Sequence, residues 1–272
     1  EELMNILKNH FIKCIPTGII FGTITAFFNL QHFEITTLRS DIKTYGRHAD
    51  VHFSDCWLND AQRRDFTINA MYMDLEGNIY DFFQGKQDLL KTRTIRFIGD
   101  PEKRIREDNL RILRFFRFYG YLKNAHYAQD SFIACKENIE KIHKLSHSRI
   151  KTEILRIFGL RYLWPVLKLM QDAGAFSSLL KLEFKLPKEL PTPSTHPVVN
   201  LAYVLGLAKS TKSQVELIIK TIGLSNYQKK ILFTLLFHAE KFNAGKKDSH
   251  LKLLYLFGHE IYKCIIELEA MR

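Results

Sequence analysis

The chain has 272 residues, 46% of them apolar, with a formal net charge of +11 and a pI near 9.4. That length and apolar share exclude a disordered polymer and leave room for two domains. The cationic excess favours a polyanionic partner, nucleic acid before membrane surface, and no apolar run reaches the roughly eighteen residues of a transmembrane helix, so no membrane partner is expected.

Residues 1–10 carry Leu3, Ile6 and Leu7 on one side of an amphipathic helix that reads as already under way at Glu1. Residues 16–39 alternate as two strands joined by a turn around Asn29–His32, with Gly18 and Gly22 at a tight turn and a close backbone approach. Arg39–Trp57 is polar and poor in periodic apolar positions, and is predicted as a mobile loop. Its His48 and His52 are four apart outside any convincing helix, so metal binding is not expected there. Arg63, Arg64 and Asp65 are predicted to begin a short helical turn, with Asn69 four residues on, and 75–78 a hairpin turn. Asp81, Gly85 and Asp88 punctuate the stretch that follows.

Asp100 and Pro101 mark a helix start as N-cap and first helical residue. Ile105, Ile112, Leu113 and Phe116 recur at helical spacing and predict a core stripe, while Glu107, Asp108, Arg111 and Arg114 fall on another face. By spacing alone that face is a row of solvated salt bridges. Beyond Tyr121 the pattern is helical. A proline-rich linker is predicted at 181–197, and Leu224–Asn226 is expected to cap a later helix. Four cysteines, Cys14, Cys56, Cys135 and Cys264, lie far apart without a C-x-x-C pair, which predicts reduced thiols and a cytoplasmic location.

Two strings in combination, RRDFTINAMYMD (63–74) and EDNLRILRFFRF (107–118), together with the PTG-x-x-x-GT-x-T strand (16–25), resemble the class II nucleotidyltransferases: tRNA CCA-adding enzymes and bacterial poly(A) polymerases. The resemblance runs from about Ile15 to about Tyr119 and weakens beyond. It implies an α+β fold, with an incomplete, polymerase-beta-like nucleotidyltransferase head holding a small mixed sheet, then an all-helical neck, body and tail. The expected division is 1–97 for the head, 98–185 for the neck and body with nucleotide- and RNA-binding helices, and 186–272 for a tRNA-binding tail.

The same resemblance implies site residues. Glu34, in an E-x-TT-x-R context, would stand beside the catalytic metals. The 39–57 loop would act in switching from C to A addition. Arg63 or Arg64 would take the triphosphate, and Asp65 and Asn69 the ribose hydroxyls, while a capping role for Asp65 stays open. Asp81, Gly85 and Asp88 would form a structural hinge. Asp108 and Arg111 would template the base, Glu107 would orient an arginine, and Arg114 would reach a phosphate or brace Asp108. In LSHSRI (145–150), Ser148 stands where the family has an acidic residue.

The family's Gly-Gly, Arg-Asp and Asp-x-Asp motif, whose aspartates hold magnesium, is expected to be lacking from this chain. Asp41 and the SDCWLND stretch do not have its strand context, so no certain metal ligands are assigned. The implied activity is addition of CMP and AMP to the tRNA 3′ end from CTP and ATP with Mg²⁺, by a two-metal mechanism and with bases selected by the protein. This chain alone is expected to be incomplete or inactive, its partners being the tRNA 3′ end and a complementing N-terminal chain. The absence of a G-R-R-F-like basic string favours CCA addition over poly(A) synthesis. A non-catalytic RNA-binding remnant is the alternative of a different class.

Overall fold

The computed structural model describes residues 2–45, 48–238 and 247–272, with the side chains of 41–51 and 247–249 outside the description. The architecture is α+β: small sheets fill the N-terminal part and helices almost all of the rest. The chain divides into two compact units, 1–86 and 87–272.

In the first unit, helix α1 (Glu2–Asn9) precedes an antiparallel sheet of β1 (Lys13–Gly18), β2 (Thr23–Phe28) and β3 (Gln31–Thr36), in that order. The β2–β3 register runs from Thr23↔Thr36 to Phe28↔Gln31. Asn29 and Leu30 turn the chain with φ of 48° and 62°, the two positive values of a hairpin turn whose twist suits the flanking strands. The β1–β2 register slips between Ile15 and Gly18, where Pro16 has no N–H to give the ladder.

Much of Arg39–Trp57 is a hairpin rather than a loop, β4 (Arg39–Tyr45) pairing antiparallel with β5 (His48–Phe53) from Arg39↔Phe53 to Tyr45↔His48. Ladder hydrogen bonds are backbone bonds, so a polar strand pairs as well as an apolar one, and apolar periodicity misses it. His48 and His52 therefore lie on a strand. The tip, 46–47, and the side chains that would serve a switching role lie outside the described residues.

Helix α2 (Trp57–Gln62) is followed by a 3-10 turn at Thr67–Asn69 and a hairpin of β6 (Met71–Met73) and β7 (Ile79–Asp81). Arg63 and Arg64 end α2 rather than open a helix: Arg63 is its C-cap residue. Asp81 accepts from the backbone N–H groups of Gly85 (2.8 Å) and Lys86 (2.9 Å), setting up the single turn α3 (Gly85–Gln87). Among the described residues of this unit the buried apolar side chains are few: Ile24, Ala26, Ala61, Phe66 and Ala70. Polar networks therefore carry more of its order than they would beside a large core.

The second unit begins with a π-helical turn at Asp88–Thr92, where the buried Asp88 carboxylate accepts from Thr92 Oγ1 (3.2 Å) and Arg96 Nε (3.3 Å). Strands β8 (Thr94–Ile95) and β9 (His126–Tyr127) pair in parallel. The helices are α4 (Pro101–Glu107), α5 (Leu110–Tyr119), α6 (Gln129–Glu137), α7 (His147–Phe158), α8 (Leu163–Asp172), α9 (Ala175–Leu180), α10 (Pro197–Leu207), α11 (Lys212–Ile222), α12 (Asn226–Phe237) and α13 (Lys247–Met271), the last bent at Gly258.

Asp100 caps α4 by accepting from Glu102 N at 2.9 Å, and Ile105, Ile112, Leu113 and Phe116 are fully buried, as their spacing predicts. Thr211 and Ser225 each close a capping box, at the starts of α11 and α12. The proline-rich stretch 181–196 is irregular, but it is packed rather than a free linker. Leu182 and Phe184 are buried, Trp164 Nε1 donates to Pro191 O at 2.6 Å, and the fully buried Asn200 donates to Ser194 O and Phe158 O. Prolines forbid regular structure without forbidding burial.

Candidate functional site

In the first unit the predicted residues gather around one that sequence reasoning passed over as a ligand, Asp60. It sits in the last turn of α2, three and four residues before Arg63 and Arg64, so the helix brings both guanidinium groups to one carboxylate. Arg63 donates to Asp60 Oδ1 from Nε (2.9 Å) and Nη2 (2.6 Å). Arg64 donates to Oδ2 from Nε (3.1 Å) and Nη2 (2.9 Å), and Tyr72 OH donates to the same oxygen at 2.7 Å. The Asp60 side chain is 2% exposed. Burial alone would raise its pKa, but the hydrogen bonds from Tyr72, Arg63 and Arg64 outweigh that and hold it below the usual carboxylate value. Burial, then the bond to Asp60, pushes the Tyr72 hydroxyl up to about 12.

Arg64 also donates from Nη1 to the backbone carbonyl of Asn69 at 3.1 Å, and its guanidinium lies 5.1 Å from the Tyr72 ring centre. Asn69 Nδ2 in turn donates to Asp65 Oδ1 at 2.9 Å, an oxygen that also accepts from Phe66 N. Arg63, Arg64, Asp65 and Asn69 are thus brought together. Beside them Trp57, Tyr72, Met73, Asp74, Tyr80 and Phe82 line a cavity of about 300 Å³. Glu34 is apart from this cluster, exposed on β3 opposite Thr25.

Because the pKa of Asp60 is lower in the folded state, its contribution to stability is complete above the unfolded carboxylate range, near pH 4, and is lost as pH falls through the folded value. The stability gap between wild type and Asp60→Asn is expected to be constant near neutrality and to close in acid. Urea midpoints read by Trp57 fluorescence, in a Trp164→Phe background, would check it; a gap unchanged to pH 3 would contradict the assignment.

In the second unit the face predicted as one helix is interrupted. Asp108 is extended (φ −153°, ψ 110°) and is the C-cap of α4, with α5 starting at Leu110. The Asp108 side chain explains the break: Oδ1 accepts from Leu110 N at 3.0 Å, the local bond that favours Asp at helix ends. Oδ2 accepts from Arg149 Nη2 of α7 at 2.6 Å. Arg149, missed in sequence, braces Asp108; the Arg114 guanidinium lies 5.3 Å from the Phe118 ring centre. Glu107 is held between two arginines, Arg111 Nη1 at 2.6 Å and Arg104 Nη2 at 3.0 Å, and Arg111 also donates to Arg104 O. Asp108 and Arg111 therefore form a carboxylate and a guanidinium three residues apart, each steadied by a partner of opposite charge.

Among the described residues no group of three or more His, Cys, Asp and Glu side chains could hold a metal ion. Glu34, exposed on β3, does not by itself make a site for a metal pair.

The family model described as "Poly A polymerase head domain" matches residues 1–96, and that described as "Probable RNA and SrmB- binding site of polymerase A" matches 127–184. The mitochondrial CCA tRNA nucleotidyltransferase 1 of Danio rerio is 40% identical over 177 residues, 64% of this chain and 41% of the relative. The CCA-adding enzyme of Staphylococcus saprophyticus is 30% identical over 255 residues, 93% of this chain and 63% of the relative. The chain thus spans less than two thirds of these relatives' length. Its fold is similar to that of the Bacillus stearothermophilus CCA-adding enzyme in complex with CTP, with a TM-score of 0.77 at 23% identity over 96% of this chain and 64% of that one. It is also similar to a tRNA nucleotidyltransferase complexed with a primer tRNA and an ATP analogue (TM-score 0.69, 19% identity, 98% and 81% covered).

Two expectations are overturned. A member lacking its N-terminal catalytic motif does not agree with a head-domain match that begins at residue 1, nor with the staphylococcal alignment over 93% of the chain. A search for one short motif reads local spacing, whereas the head fold is specified along the whole stretch. The cytoplasmic location is at odds with the relatives from zebrafish, human and mouse, 40–42% identical and named mitochondrial. Unpaired cysteines report on redox conditions, which is not an address.

Proposed function

We propose that the chain is a member of the tRNA nucleotidyltransferase family that includes the CCA-adding enzymes, and that it selects CTP and ATP for addition of CMP and AMP to the 3′ end of tRNA. The observation that carries this reading is the steadied pair of Asp108 and Arg111. Cytosine and adenine each present an exocyclic amine beside a ring-nitrogen acceptor, so a carboxylate accepts from the first and a guanidinium donates to the second. Guanine and uracil reverse the pattern, and a mismatched buried polar group costs about 1–3 kcal/mol. The Asp65–Asn69 pair offers an acceptor and a donor of the kind that ribose hydroxyls need.

Residues 1–97 act as the head, 98–185 as neck and body, and 186–272 as a tail holding the tRNA backbone. The uneven charge supports RNA contact by the helical part. Residues 1–86 carry eight Lys and Arg against eleven Asp and Glu, whereas 87–272 carry thirty-two against eighteen. Lys212, Lys220, Lys229 and Lys230 of α11 and α12 are exposed, as phosphate contacts require. Glu34 is the proposed catalytic carboxylate of this chain, with Mg²⁺ as the reaction's metal.

The test is nucleotide binding by the purified chain, followed by incorporation of labelled CTP and ATP into tRNAs ending before, within and after CCA. CTP and ATP are expected to bind about tenfold or more tightly than UTP and GTP, and Arg111→Ala to erase that preference. Equal binding of all four by wild type would sink the template reading. Repeated A addition in place of C then A would move the chain to the poly(A) polymerases.

A further inference from the structure

Resting on the ribose-reading role just given to Asp65 and Asn69, we propose that Asp60 is a positioning residue of the nucleotide site, acting through Arg64 to hold that pair in place. The hydrogen bonds form one unbroken path. Asp60 Oδ2 accepts from Arg64 Nε and Nη2, Arg64 Nη1 donates to Asn69 O, and Asn69 Nδ2 donates to Asp65 Oδ1. Arg64 is therefore a strut rather than a triphosphate ligand. Its Nε–Nη2 edge is on the carboxylate, its Nη1 is on the backbone of the residue it steadies, and its central carbon lies 5.1 Å from the Tyr72 ring centre. A guanidinium suits this role because its donors are fixed in one plane, which Lys cannot reproduce.

Asp60 is the fixed end of the strut. It is 1% exposed, anchored in α2, and held by Tyr72 OH on the same oxygen that Arg64 uses. The Arg39 amide also donates to it, and Arg63 bridges it to Arg39 O. The two arginines occupy different oxygens. An amide in place of the carboxylate must turn its NH₂ toward one of them, where donor meets donor.

The measurement is the ratio of CTP to dCTP affinity, by calorimetric titration of the 272-residue chain. That ratio reports the hold on the 2′-OH, and a general loss of stability does not move it. Wild type is expected to prefer CTP. Asp60→Asn is expected to lower the preference about tenfold, Arg64→Lys to lower it similarly, and the double variant to be no worse than either single one. If Asp60→Asn does not fold, Arg64→Lys carries the same comparison. A ratio unchanged in folded Asp60→Asn, or equal weakening of CTP and dCTP in Arg64→Lys, overturns the strut and returns Arg64 to the phosphates. If wild type binds CTP without preferring it to dCTP, or binds neither, the ribose-reading role falls, and the strut falls with it.

Discussion

Glu153→Ala is expected to cost residues 87–272 about 3–5 kcal/mol of stability. Glu153 on α7 accepts from Arg117 Nε on α5 at 2.6 Å, and the two side chains are 3% and 6% exposed. Arg117 also donates to Tyr121 OH at 2.8 Å and lies over the rings of Phe118 and Tyr121. Removing the carboxylate leaves a guanidinium charge in a site closed to water, and burying an unpaired charge costs more than the pair itself gains. Arg156, 3.7 Å from the other oxygen, is 56% exposed and loses little. The contrast is the double replacement Arg117→Met with Glu153→Leu, which removes both charges and is expected to recover most of the loss. Denaturant midpoints of the three proteins test this. A single variant within about 1 kcal/mol of wild type, the range of an exposed pair, would show that the site admits water. Glu153 lies one helical turn along α7 from Arg149, so the single variant is also expected to loosen the Arg149–Asp108 contact and, with it, the proposed nucleobase discrimination.

Gly85→Ala is expected to destabilise residues 1–86 by about 2–3 kcal/mol, at the upper end of overpacking costs. A Cβ built on Gly85 falls 2.2 Å from Thr67 O and 2.8 Å from Thr67 C. Both are backbone atoms of the turn that carries Asn69, so no side chain can swing aside to make room. The Asp81 carboxylate also holds Gly85 in place, accepting from its N–H at 2.8 Å. Gly77 is the control: its φ is +87° and a Cβ there meets nothing within 4 Å, so Gly77→Ala bears only the cost of a left-handed backbone, about 1–2 kcal/mol. Thermal and urea unfolding of the two variants separate a clash from a conformational penalty. Equal losses would mean that the Thr67 turn yields freely.

Legibility in the sequence followed the range of the interactions. The capped start of α4, the stripe of Ile105, Ile112, Leu113 and Phe116, the 75–78 turn and the Ser225 cap were readable because each is written within one or two helical turns. The bracing of Asp108 by Arg149 spans forty-one residues and the Arg117–Glu153 pair thirty-six, and no local pattern reports either. Asp60 was the exception that could have been found, since an Asp three and four residues before two arginines on a helix is a visible spacing.

By itself the sequence determined the fold class and the family resemblance, because helix caps, apolar periodicity and the RRDFTIN and EDNLR strings are local properties of the chain. Only the tertiary structure decided that residues 39–45 and 48–53 pair as strands, that the 181–196 stretch is packed, and that the helical pattern after Pro101 breaks at Asp108. It also decided which charge steadies which. Ladder bonds, burial and long-range ion pairs depend on where distant segments meet, and an arginine satisfied by Glu153 reads in one dimension like any other surface cation.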